Sequence, residues 1–234
     1  MKPLVILIHG SMASSAQWLG YADLLPECDV VTIDLPAHGS RFDESWSLVA
    51  AVETIAEAVN KRAPGQKVIL VGHSLGGYVA TLYSVRNWRN LSGLILIGAT
   101  GDPIHRLAGV YRIYGRIAQG AHPDKVSKTR LTVMRALGVR EEQVPDVPKY
   151  KELPAIWNSI IASCSPGLLG GVNRPVLLIN GEFDQMRFTE KAFLRAAPQA
   201  KLAIVPRSTH LAPLTHAEKV AWLIGRFTRA VAGN

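Results

Sequence analysis

Six short apolar runs recur along the chain: LVILI (4–8), CDVVTI (28–33), KVILV (67–71), LSGLILIG (91–98), PVLLIN (175–180) and KLAIVP (201–206). Runs that are apolar nearly throughout, rather than alternating, suit strands covered on both faces, as in a parallel sheet. The intervals supply the covering elements. Leu48, Val52, Ile55 and Val59 share one helical face, and Val220, Leu223, Phe227 and Val231 share another. Val79, Leu82 and Tyr83 begin a further amphipathic pattern, and Ser14 or Ser15 is placed to cap a helix carrying Trp18 and Leu25. Strand and helix in alternation predict an α/β fold with a doubly wound, mostly parallel sheet of about six strands. Ligands of such a sheet gather at the carboxyl ends of its strands.

One interval breaks the rhythm. Residues 101–173 hold no convincing strand and several helical patterns, among them the stripe Ile104, Leu107, Ala108 and Tyr111. Within 234 residues, enough for one domain with a full core, this block reads as a helical cap inserted into a core made of 1–100 and 174–234. It also carries the charge. Residues 105–140 contain Arg106, Arg112, Arg116, Lys125, Lys128, Arg130, Arg135 and Arg140 against the single acid Asp124, so nearly all of the net +8 lies there. A basic surface favours anionic partners. Nucleic acid is not expected, because no zinc-finger, RNP or basic-zipper pattern accompanies the charge. The two cysteines, Cys28 and Cys164, form no CxxC pair and read as buried thiols in a reducing compartment. The opening MKPLVILIHG has an apolar run of only five residues, and no run nears the roughly 18 needed to span a bilayer. A cytoplasmic location with no membrane span is the expectation.

The chemistry centres on Gly72-His73-Ser74-Leu75-Gly76, a G-x-S-x-G motif between a predicted strand and a predicted helix. A sharp strand-to-helix turn strains the serine backbone, demands small neighbours two residues away, and lifts the hydroxyl clear of the sheet. The motif thus makes Ser74 a candidate nucleophile, which needs a base within hydrogen-bond reach. No Gly-Lys-Ser, GxGxxG or HExxH accompanies it, so no phosphate loop, dinucleotide site or metal site is read, and no cofactor is expected.

Five stretches, HGS (9–11), DLPAHGS (34–40), GHSLGG (72–77), GEFD (181–184) and STH (208–210), occur in an order that resembles the α/β-hydrolase family. The resemblance spans essentially the whole chain. It implies a catalytic triad of Ser74, Asp184 as orienting acid and His210 as base. It places the oxyanion donors at the backbone N–H groups of Ser11 and Leu75, with Met12 as a second choice. Asp102 is the rival acid, its plainer reading being a helix cap ahead of Pro103. His9, His73, Asp34 and Gly39 read as structural, His216 as packed or solvated, and His38, His105 and His122 as loop and cap residues. One departure is expected in the fold: only three residues precede Leu4 where the family has an antiparallel hairpin, so the sheet should lack its first two strands.

These parts suit hydrolysis of a carboxylic ester or thioester of a small-molecule substrate through an acyl-serine. Tyr111, Tyr114, Met134 and Trp157 are candidate pocket lining, with cap packing the plainer reading of each. HGSMASSAQW, DLPAHG and GEFDQMRF also resemble the menaquinone-pathway branch of the fold, whose triad eliminates a carboxylic acid from a polyanionic substrate. The cap arginines would suit such a substrate. Tyr78 stands where that branch is expected to have an arginine. A non-catalytic small-molecule receptor on the same fold is the third reading.

Overall fold

Along β1 (Leu4–Ile8) the side chains divide by parity: Leu4, Ile6 and Ile8 enter one apolar layer, Val5 and Leu7 the other. That is the period of two that a pleated strand imposes, and the burial of all five means a layer on each face. The computed structural model describes residues 1–103, 131–144 and 152–233. β3 (Val68–His73), β4 (Gly93–Ile97) and β5 (Val176–Gly181) repeat the division and are buried throughout. With β2 (Asp29–Ile33) and β6 (Lys201–Val205) they form one sheet in the order β2-β1-β3-β4-β5-β6, every pairing parallel. Strand order reverses between β1 and β3, where Ile8 lies beside Gly72, and on the other side of β3 His73 lies beside Ile97 of β4. A crevice at such a reversal is where this kind of sheet receives ligands.

One face is covered by α2 (Leu48–Asn60), α3 (Leu75–Asn87) and the helix Leu153–Ser163. The other is covered by the helix Ala217–Ala232, together with Trp18 and Tyr21. Ser47 caps α2 by accepting from Ala50 N, which satisfies one of the donors that a helix start leaves open. Each fully buried Leu, Ile or Val contributes about 1.5–3 kcal/mol relative to exposure. The sheet interior, where five consecutive residues of β1 are buried, is therefore the main source of stability.

Three expectations change. The outer runs are not covered on both faces: β2 and β6 are largely exposed or half-buried, because each is an edge with a single neighbour. The helix expected through Trp18 and Leu25 is two short pieces, a 3-10 turn Ser15–Trp18 capped by Ser14 and a one-turn α1 (Tyr21–Leu24). Gly20 separates them with φ of 87°, a left-handed conformation that ends a helix. α3 is not amphipathic over its first turns. It is buried all round from Leu75 to Thr81, wedged between the sheet and α2.

Within 101–173 the described residues hold helices at 131–136 and Leu153–Ser163 and no strand. Leu153, Ile156 and Ile160 enter the core layer beneath α2, and Trp46 Nε1 donates to Ser159 Oγ at 3.0 Å. Nearer the site, Arg140 Nη2 donates to Leu19 O at 3.0 Å, and Gln143 Nε2 donates to Gln17 O at 3.2 Å. Tyr111, Tyr114, His105, His122 and the basic residues from Arg106 to Arg130 lie outside the described residues. No helix among the described residues is long and apolar enough to cross a membrane.

Candidate active site

Because every strand runs the same way, the loops leaving β1, β3, β4, β5 and β6 meet along one rim of the sheet. Ser74 leaves β3 with φ 49° and ψ −114°, a region costly for any residue with a Cβ. The glycines around it make the turn possible. A Cβ on Gly72 would lie 2.5 Å from Gly77 Cα, and one on Gly76 would lie 2.6 Å from His9 O. Only hydrogen fits at either place. Ser74 N donates to Ile97 O at 2.9 Å, which fastens the turn to β4, and α3 begins at the next residue.

His210 follows β6 and Asp184 follows β5, and the structure brings them together. His210 Nδ1 lies 3.1 Å from Asp184 Oδ1 and 3.2 Å from Oδ2. Asp184 Oδ1 also accepts from Met186 N at 2.8 Å. Burial pushes the Asp184 carboxyl up, but the His210 and Met186 hydrogen bonds outweigh it and hold the group below the ordinary carboxylate value. An ionised Asp184 accepts only, so the His210 proton sits on Nδ1 and Nε2 keeps its lone pair. The loop carrying Asp184 is fastened in turn: Thr100 Oγ1 donates to Met186 O at 3.0 Å and Thr189 Oγ1 to Thr100 O at 2.8 Å. Asp102 is part of that fastening, its N–H donating to Thr189 Oγ1 at 2.7 Å, and the carboxylate on His210 Nδ1 is that of Asp184.

No hydrogen bond joins Ser74 Oγ to His210 in this structure. Such bonds are often long before substrate arrives. The two are neighbours through His73, whose ring centroid lies 4.9 Å from that of His210. Leu75 N, at the first position of α3, and Ser11 N, after β1, have no acceptor among the described residues. Both belong to segments packed on one another, since Gly76 N donates to His9 O at 3.1 Å.

The DLPAHG loop is built around Asp34. Its carboxylate accepts from Ser15 N at 2.6 Å, from Ser40 N at 2.9 Å and from Ser40 Oγ at 2.8 Å. Gly39 has φ of 50°, and a Cβ there would overlap the same carboxylate. His9 donates from Nδ1 to Gly10 O at 2.8 Å and accepts Leu35 N–H on Nε2 at 3.1 Å, so both ring nitrogens are used by a neutral imidazole. Met134 is half-buried beside the 137–139 turn, and Trp157 packs on the core layer that includes α2 and Met12. Among the described residues no group of His, Cys, Asp or Glu is arranged to hold a metal.

Sequence reasoning missed Gly98. Its φ is 56°, and a Cβ on it would lie 2.9 Å from Asp184 Oδ2 and 2.9 Å from His210 Nδ1. The only available signal was a glycine ending a strand. Gly98→Ala is expected to displace the Asp184–His210 pair and lower kcat by about 10- to 100-fold, since misplacement on the order of 1 Å costs that much. Steady-state kinetics on the folded variant, checked by circular dichroism, would show it; an unchanged kcat would mean that the pair tolerates the shift.

Residues 5–221 match the model of the alpha/beta hydrolase family, and the chain belongs to that family. Among curated proteins it is 29% identical over 96 residues to the 2-succinyl-6-hydroxy-2,4-cyclohexadiene-1-carboxylate synthase of Klebsiella pneumoniae, covering 41% of this chain and 38% of that one. It is also 29% identical over 144 residues to Lipase LipV of Mycobacterium tuberculosis, covering 61% and 53% of the two chains. The matched stretches thus span well under two thirds of these relatives' own length. Among solved structures, a thermophilic esterase from Thermogutta terrifontis superposes with a TM-score of 0.80 at 23% identity, covering 99% of this chain and 91% of that one. That likeness speaks for the fold.

Proposed function

We propose that this member of the alpha/beta hydrolase family hydrolyses a carboxylic ester or thioester through an acyl-serine intermediate, with no cofactor. The observation that carries the reading is the placement of three things along one rim. They are a strained Ser74 at a strand-to-helix turn, a buried Asp184 holding the Nδ1 proton of His210, and N–H groups at Leu75 and Ser11 that have no acceptor among the described residues.

In this mechanism Ser74 Oγ attacks the carbonyl carbon while His210 Nε2 takes the hydroxyl proton. Asp184 stabilises the imidazolium without taking its proton. Charge gathers on the former carbonyl oxygen, which accepts from Leu75 N and Ser11 N; each such donor contributes about 10²–10³ in rate. His210 returns the proton to the departing alcohol or thiol. Water then attacks the acyl-serine, His210 takes one of its protons, and the carboxylic acid leaves as Ser74 recovers its own. The cap is proposed within 101–173, whose helix Leu153–Ser163 is seated in the core layer through Leu153, Ile156 and Ile160, and Met134, Trp157, Tyr111 and Tyr114 are the pocket candidates. Its basic stretch suits an anionic acyl or leaving group. Cys28 and Cys164 are both buried and free, which suits a cytoplasmic setting.

The test is a series of p-nitrophenyl esters from acetate to dodecanoate, followed by mass spectrometry of the quenched enzyme. Turnover with an acyl adduct on Ser74 is expected, and the preferred chain length sizes the pocket. No turnover on any ester and no adduct would remove the reading.

A second reading, a lyase releasing pyruvate from the menaquinone-pathway intermediate, draws on the likeness to the Klebsiella synthase. Tyr78 counts against it. Its side chain is buried and its hydroxyl donates to Gly101 O at 2.6 Å, so the position offers a polyanion no cation. Enzyme-dependent pyruvate release would reverse that preference. Tight binding of an uncleaved small molecule without turnover would instead favour a receptor.

A further inference from the structure

His73 precedes the nucleophile, and its side chain is used by the other two parts of the site. It is buried, and its Nε2 lies 2.9 Å from His210 O. A carbonyl oxygen only accepts, so His73 Nε2 carries the ring proton and donates it there. Its Nδ1 lies 3.1 Å from Gln17 Oε1, and the same Gln17 oxygen accepts Gly10 N–H at 3.2 Å. Gly10 immediately precedes Ser11. The ring also fills the space at Gly10 itself, where a Cβ would lie 2.8 Å from His73 Nδ1. Gln17 is buried, and its Nε2 has no hydrogen-bond partner among the described residues. The amide therefore faces two neighbours that ask for different ends, Gly10 N–H for its oxygen and the His73 Nδ1 lone pair for its nitrogen.

We infer that His73 is a positioning residue: it holds the main chain of His210 and the Gly10–Ser11 segment at fixed distances from Ser74, so that base, nucleophile and oxyanion donor stay in register. The inference rests on the proposed acyl-serine reaction. The geometry is direct, because one rigid ring touches the segment after β6, the segment after β1 and, through its own backbone, Ser74. A side chain that only filled the core would need no proton aimed at the His210 carbonyl; towards the β1 loop the ring acts by packing on Gly10. Buried polar contacts of this kind fix geometry more than they add stability, since an unmade one is costly and a made one yields little net gain.

The experiment compares His73→Phe, which keeps a ring and loses the hydrogen bond to His210 O, with His73→Gln, whose amide nitrogen reaches the position of Nε2. Both are assayed on the best ester, with melting temperature and circular dichroism recorded. His73→Phe is expected to lower kcat by roughly 10- to 100-fold with KM within about twofold, as misplacement of reacting groups does. His73→Gln is expected to recover most of that loss. A folded His73→Phe with the wild-type kcat overturns the inference, and so does His73→Gln as slow as His73→Phe. If His73→Phe does not fold, the shorter His73→Asn replaces it, and equal kcat for the Asn and Gln variants is the overturning result. Failure of the acyl-serine reading would appear earlier and separately, as a wild-type protein with no ester turnover and no adduct on Ser74.

Discussion

Ser74→Ala is expected to abolish ester hydrolysis, with kcat falling at least ~10³-fold and the fold unchanged. Both halves of that expectation come from the turn after β3. The hydroxyl is the proposed bond-forming atom, so without it only the oxyanion donors and binding remain. The same hydroxyl makes no hydrogen bond among the described residues, so its loss leaves none of them unpaired. Alanine has the same Cβ as serine and accepts the φ of 49° at a similar cost, about 1–3 kcal/mol. The melting temperature should therefore move little. Ser74→Gly would be as inactive but more stable, because glycine alone relieves the strained backbone. Kinetics on an ester of the preferred chain length, together with thermal melts of wild type and both variants, would settle it. Residual hydrolysis within tenfold of wild type in a folded Ser74→Ala would place the nucleophile elsewhere.

What made Ser74 legible in advance was local. G-x-S-x-G after KVILV encodes a strand, a tight turn and a helix within a few neighbouring residues, and the strain at Ser74 with glycine at 72 and 76 is the same information in three dimensions. The six apolar runs were equally local, and all six are strands. Reading β2 and β6 as doubly covered went wrong because coverage depends on which strands end as edges, and strand order is not written in any single run. The break at Gly20 was in plain view as a glycine inside a helical pattern. Its left-handed φ belongs to a turn that also packs Trp18 edge-on against Tyr21 at 4.9 Å. Asp184 and His210 were legible by resemblance only; nothing in the spacing of 184 and 210 says that their side chains meet. Gly98, Gln17 and the second use of His73 were illegible, since each owes its role to segments far apart in sequence and joined only by the sheet. The pocket candidates Tyr111 and Tyr114 remain proposals, lying outside the described residues.

The second large effect concerns acid. Stability is expected to fall by about 4 kcal/mol between pH 7.5 and pH 5.0, long before carboxylates titrate. The cause is a pair of wholly buried neutral histidines. Burial, aided by the neighbouring His38, lowers the His9 pKa to about 3; burial, aided by His210, lowers that of His73 to about 3 as well. Both start from an ordinary value near 6.5 in the unfolded chain. Between those limits the unfolded state binds more protons than the native state, so stability rises with pH. It is complete above about 6.5 and is lost as pH falls from there towards 3. Each site contributes up to about 1.4 kcal/mol per pH unit, which gives roughly 2 kcal/mol per site by pH 5.0. His38, also lowered by burial, adds in the same direction.

Asp34 and Asp184 act in a different window. Burial opposes their charge, but the hydrogen bonds to each carboxylate prevail and hold both below the ordinary value of 3.8. The stability they contribute is present above that value and is lost only as pH falls below it, so they leave the pH 5.0 comparison untouched. Geometry explains why protonation is so unfavourable at His9. Its Nε2 already accepts Leu35 N–H at 3.1 Å, and a second ring proton would turn that bond into a clash of donors. A loss on the order of 4 kcal/mol is a large share of the 5–15 kcal/mol that holds an ordinary domain folded. Urea unfolding followed at pH 7.5, 6.5, 5.5 and 5.0 would measure the slope. His73→Gln, which cannot titrate, should remove about half of it. A midpoint unchanged to pH 5.0 would mean that these two rings are not both neutral and buried in the native protein.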